Sequence, residues 1–197
     1  MDELQPSWTV FQGTKRIAAG ALADAVLAAK AAIDRGVGEP VMVLDDLTAE
    51  PVEIDFRNDV DLILAHLPKP AAPDPIPDTP RGRGRPRMGV VAREVTLLPR
   101  HWEWLGRQPG GASVALRKLV EEARHTHRHR DRIRQSQEAA YRFMSIMAGD
   151  RPGFEEAARA LFAGNHPRFD ALTGVWPVDI RDHAQRLAMD AFAGESE

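Results

Sequence analysis

Arginine recurs at Arg81, Arg83, Arg85 and Arg87, spaced by Gly82, Gly84 and Pro86. An extended strip of this composition is thin enough to lie in a narrow groove of nucleic acid. Glycine removes the side chain that would collide with the groove floor, and the guanidinium groups seek the enhanced negative potential of A·T tracts. A second set of cations, Arg117, Lys118, Arg124, Arg128 and Arg130, falls on a stretch of helical periodicity and can hold phosphates. The net charge of −3 conceals this concentration. Between Thr79 and Gln135 there are 14 basic and 5 acidic residues, which leaves 12 basic and 24 acidic residues of the totals of 26 and 29. A basic middle between acidic ends is a local electrostatic footprint for a polyanion.

Within the strip, Arg83-Gly84-Arg85-Pro86 resembles the core of an AT-hook, which implies contact with the minor groove. Downstream, Ala92-Arg93-Glu94-Val95-Thr96-Leu97-Leu98-Pro99 reads as a strand running into a helix. Gly110-Gly111-Ala112-Ser113 then reads as a turn and a helix cap, before a helix through Leu116, Leu119 and Val120. This order resembles the ribbon-helix-helix fold over about 35 residues. The resemblance implies a homodimer in which one strand from each chain forms a ribbon for the major groove. It also implies a phosphate at the amides around Ala112, Ser113 and Val114, and a core of Leu98, Trp102, Leu105, Leu116, Leu119 and Val120. Two registers of the ribbon are open: either Arg93, Val95 and Leu97 face the groove, or Glu94, Thr96 and Leu98 do. Arg93 and Thr96 are the candidate base contacts.

Other chemistry finds fewer actors. With no cysteine in the chain, disulfides, thiol nucleophiles and thiolate metal sites are excluded. His125 and His129 are spaced to share a helix face, but a metal needs further ligands, and neighbouring arginines repel a cation. Asp45-Asp46 after an apolar run could hold magnesium, yet no phosphate-binding loop accompanies them. They read as a solvated turn. No nucleophile elbow or Ser-His-Asp signature is present. The expectation is therefore a protein that is not an enzyme and carries no cofactor. The absence of a long apolar run and of a signal-like start points to the cytoplasm, associated with the nucleoid if DNA is the partner.

Four segments must position these residues, giving an α+β chain. Residues 1–67 read as a small ββαββα unit. Its parts are strands around Val10 and Ile17, an amphipathic helix from Ala21 to Arg35 stopped by Gly36, a strand Val41–Leu44, a returning strand alternating through Val52, Ile54 and Phe56, and a helix capped by Asn58 or Asp59. Residues 68–89 form a Pro/Arg-rich linker, expected to be an extended, mobile spacer. Residues 90–135 form the basic strand-helix-helix module, with a strand Val90–Leu98, a helix from Pro99 to about Gln108 and a helix capped by Ser113. Residues 136–197 form a helical part, with helices expected at Ala139–Ala148, Phe154–Ala163, Pro167–Leu172 and Val178–Phe192. The aromatics Phe154, Phe162, Phe169 and Trp176 there read as core.

Taken together, Phe11-Gln12-Gly13, Arg16-Ile17-Ala18-Ala19-Gly20, Val43-Leu44-Asp45-Asp46, the Gly89–Trp102 and Gly110–Val120 runs and Ala140-Tyr141-Arg142-Phe143-Met144 resemble, over nearly the full length, a bacterial family of unknown function. That resemblance implies a bacterial cytoplasmic protein and carries over no activity or catalytic residue. The residues themselves point to double-stranded DNA as partner. A protein partner held by the N-terminal or C-terminal part is the alternative, under which the chain is a non-enzymatic adaptor.

Overall fold

The computed structural model describes residues 7–36, 38–67 and 93–193. The chain divides into two compact units, one of residues 1–67 with 127–197 and the other of residues 68–126.

The first unit is built on a three-stranded antiparallel sheet of order β2-β1-β3, with β1 (Trp8–Gln12), β2 (Lys15–Gly20) and β3 (Val41–Asp45). The β1–β2 turn needs Gly13, whose φ is +55° and where a Cβ would lie 2.7 Å from the Glu39 carboxylate. Successive residues of a strand point to opposite faces, and here both faces are apolar. Val10 and Val43 pack with Leu22, Ala25, Val26 and Ala29 of helix α1 (Leu22–Asp34). Phe11 and Leu44 pack on the other side with Ala140, Phe143, Met144, Leu161, Phe169 and Ile180. The helix α1 ends as its sequence directs, at Gly36 with φ +69°. Helix α2 (Val60–His66) follows, with Asp59 at its N-cap position but no side-chain capping bond.

The covering helices come from the other end of the chain. They are the last part of α4 (Gly111–Ala148), then α5 (Phe154–Phe162), α6 (His166–Thr173), α7 (Val178–Leu187) and a 3-10 turn Met189–Phe192. The expected helix Val178–Phe192 is thus two pieces. The division into 1–67 and 136–197 gives way to one unit with a shared core, because β1 and β3 are apolar on both faces and α1 covers only one of them.

A second correction concerns Val52–Phe56. Val52 donates to the Val43 carbonyl at 2.8 Å and Leu44 bridges Pro51, but no ladder continues. Val52, Ile54 and Phe56 instead lay their apolar sides on the α1 cluster, so the period-two pattern is real but the pattern of elements is ββαβα.

In the second unit, Glu94–Leu98 carries no strand pairing among the described residues, and Arg93–Leu98 is exposed at all but Leu97. The remainder of the expected strand, residues 90–92, lies outside the described residues, as does the 68–89 linker. Helix α3 (Pro99–Gly106) begins on Pro99, whose missing N–H suits a first helical turn. Among the described residues no helix is long and apolar enough to cross a membrane.

Candidate nucleic-acid interface

The turn between α3 and α4 is made by two glycines in the left-handed region, Gly110 at φ +83° and Gly111 at φ +77°. The Gly111 amide donates to the Gln108 carbonyl at 3.0 Å, and α4 starts there. Ser113 is therefore not the cap. It is the third residue of the helix, exposed, with its carbonyl accepting from the Arg117 guanidinium at 3.2 Å. The paired glycines start the helix three residues earlier than a Ser113 cap would. The first-turn amides of α4 still point out of its N-terminus, as in any helix.

The second unit ends with three exposed cations on α4, Arg117, Lys118 and Arg124. Arg124 reaches Glu121 at 3.3 Å, with both side chains about three-quarters exposed. An exposed pair of this kind contributes only about 0.2–1 kcal/mol, so a phosphate can displace the carboxylate. The part of α4 in the first unit carries Arg128 and Arg130, also exposed. Arg130 Nη2 lies 3.2 Å from His127 Nδ1. Beyond them, Arg132 pairs with Asp190 at 3.6 Å and Arg134 with Asp131 at 2.9 Å. Among the described residues Arg117, Lys118, Arg128 and Arg130 have no carboxylate partner, unlike Arg124, Arg132 and Arg134. Arg93 and Thr96 are exposed in the segment before α3. Arg81, Arg83, Arg85 and Arg87 lie outside the described residues. Of the histidines, His125 is exposed and His129 half-buried, and no group of three metal-ligating side chains occurs among the described residues.

The most tightly organised polar cluster lies elsewhere and was not foreseen. Asp46 Oδ1 accepts from Thr9 Oγ1 at 2.6 Å and from Arg186 Nη2 at 2.9 Å, and His183 Nε2 stands 3.9 Å away. Arg186 Nη2 also lies 2.9 Å from His183 Nδ1. Thr9 and His183 are buried, and Phe11 and Phe143 pack their rings on the imidazole at centroid distances of 5.3 and 4.5 Å. Burial pushes His183 down to about 4, aided by the Arg186 charge, so the ring is neutral at physiological pH. Burial pushes the Asp46 carboxyl up, but the hydrogen bonds from Thr9 and Arg186 outweigh it and hold the group below its ordinary value. The neighbouring Asp45 caps its own turn, with Oδ1 accepting from the amides of Leu47 at 2.8 Å and Thr48 at 2.9 Å. Both carboxylates expected in a solvated turn are thus taken by internal partners.

This cluster ties β1 and the turn after β3 to α7, and its imidazole and threonine hydroxyl are shut away from solvent. One signal for it was in the sequence: Ile180, His183, Ala184 and Leu187 repeat at helical spacing, which puts His183 on the apolar face. Nothing in the sequence pairs that position with Asp46, 137 residues earlier.

A family profile described as "Uncharacterized protein conserved in bacteria (DUF2239)" matches residues 7–188. The chain belongs to this family. No curated protein and no solved structure matches the chain.

Proposed function

We propose that this member of the bacterial family is a non-catalytic, homodimeric protein that binds double-stranded DNA. The observation that carries the reading is the set of exposed cations on α4 with no carboxylate partner, Arg117, Lys118, Arg128 and Arg130, inside a stretch of 14 basic and 5 acidic residues. Arg186, which serves the fold, is paired with Asp46, and among the described residues these four are not. Cations left over on a helix are available to phosphates, and each one that engages releases a counterion. The Arg81–Arg87 strip adds minor-groove contacts, and Arg93 and Thr96 add contacts before α3.

Two chains are argued from the apolar residues of the second unit. Of its described hydrophobic side chains only Leu105 and Ala115 are buried. Leu98, Trp102, Trp104, Leu119 and Val120 remain 43–55% exposed, and Leu116 is half-buried. These are largely the side chains that a ribbon-helix-helix pairing would bury between copies. The same exposure favours a second reading, an adaptor whose apolar face meets a different protein. Such an adaptor has no need of the unpaired arginines.

The test is the double variant Arg83→Ala/Arg85→Ala, titrated against A·T-rich and G·C-rich duplexes. Weaker binding with lost A·T preference supports the strip. Unchanged affinity removes it and leaves the α4 cations, with Arg93 and Thr96, as the contacts.

A further inference from the structure

Two aromatic rings on the first unit are not used by its core. The rings of Phe11, Phe143 and Phe169 are fully buried. Tyr141 on α4 and Phe162 on α5 are 42% and 53% exposed, with centroids 5.5 Å apart. Phe154 supports Tyr141: it packs against the core and stacks on that ring at 6.2 Å with an interplanar angle of 28°. The result is a small π surface held from one side and open on the other.

Its position on α4 gives it a neighbour of the right charge. At 100° per residue, His127, Arg130, Arg134 and Tyr141 fall on one face of the helix. Arg130 and Tyr141 are eleven residues apart, three turns, or about 16 Å along the axis. Arg134 lies between them and is held by Asp131 at 2.9 Å and Glu138 at 3.8 Å. Arg130, exposed beside His127, has no carboxylate partner among the described residues. A cation for a phosphate followed by exposed, mutually tilted rings is the chemistry that holds a nucleic acid with unpaired bases. In an intact duplex the base faces are already stacked on one another, so rings of this kind offer them nothing.

We infer that the Tyr141–Phe162 surface is a stacking platform for the unpaired bases of a single strand, whose phosphate is held at Arg130. The inference rests on the nucleic-acid reading above and adds a substrate form to it. A single-stranded end, or a locally opened duplex, would engage this face, while intact duplex uses the cations alone.

The experiment is fluorescence anisotropy of the full-length protein with a labelled oligothymidine strand and with a labelled duplex. Stacking supports about 1–3 kcal/mol per base, so Tyr141→Ala/Phe162→Ala is expected to weaken the single strand about tenfold or more. Duplex affinity should be unchanged, and Tyr141→Phe, which keeps the ring, should bind the single strand like the parent. Phe162→Ala alone removes the more exposed ring with less loss of packing and should show the same selective effect. Single-strand affinity that ignores the rings, or falls equally with duplex affinity, overturns the platform and leaves duplex binding intact. Absence of binding to both nucleic acids overturns the platform and the DNA-binding proposal together.

Discussion

His183 shows how one side chain can report on a fold. It is enclosed by Phe11 of β1, Phe143 of α4, Arg186 of α7 and Asp46 after β3, with the charge of Arg16 on β2 also acting on it. In the unfolded chain the imidazole titrates near 6.5, and in the folded chain near 4. Between those values the unfolded state binds the extra proton, so stability is full above pH 6.5 and falls as the pH is lowered toward 4. At about 1.4 kcal/mol for each pH unit of depression, the loss amounts to roughly 3 kcal/mol. Below pH 4 the depressed carboxyl of Asp46 adds a further loss as it protonates. Urea denaturation at pH 7 and at pH 4.5 measures the slope. The variant His183→Gln should be less stable at neutral pH but nearly flat between the two, whereas an equal slope in the variant would place the titrating group elsewhere. None of this was legible in the sequence beyond the helical spacing that buries His183. A pair separated by 137 residues is made by topology, and topology is what the local pattern does not carry.

Among the elements, those with a strong local signal came through. The β1–β2 hairpin, α1 with its glycine stop, the strand at Val41, the start of α3 at Pro99 and α5 stand where the periodicity and punctuation put them. The departures have local causes. Val52, Ile54 and Phe56 lay their alternating side chains on the α1 cluster without continuing the ladder past the Leu44–Pro51 bridge, and consecutive glycines with positive φ start α4 at Gly111 instead of after Ser113. The segment Arg93–Leu98 is the element for which a partner matters most. Among the described residues Glu94–Leu98 pairs with no strand, and Leu98, Trp102, Trp104, Leu119 and Val120 are open to solvent. The dimer proposal predicts that sedimentation equilibrium finds two chains per particle and that Trp102→Glu shifts the population to one chain without unfolding it. A wild-type protein that stays monomeric at every concentration tested would favour the adaptor.

The two ends of the chain fold on one sheet, and this could have been read from an overlooked feature. Val41-Met42-Val43-Leu44 is a continuous apolar run, not an alternation, and such a strand is buried on both faces. One helix could not cover both, so the second layer had to come from the C-terminal helices. A fragment of residues 1–67 should accordingly fail to fold alone, since Phe11 and Leu44 would face water. In the full chain Phe11→Ala should cost about 3–5 kcal/mol. A fragment with a cooperative melt and dispersed amide signals would show that the sheet needs no second cover. The basic stretch was legible in composition, but which of its cations are free required the structure. Binding of DNA by those cations is the core of the proposed function. Its most direct test is titration of the full-length protein into labelled A·T-rich and G·C-rich duplexes at two salt concentrations. With six or more phosphates neutralised, the account predicts tight binding at low salt that falls by roughly a thousandfold between about 50 and 200 mM. No binding to either duplex at the lower salt would contradict it.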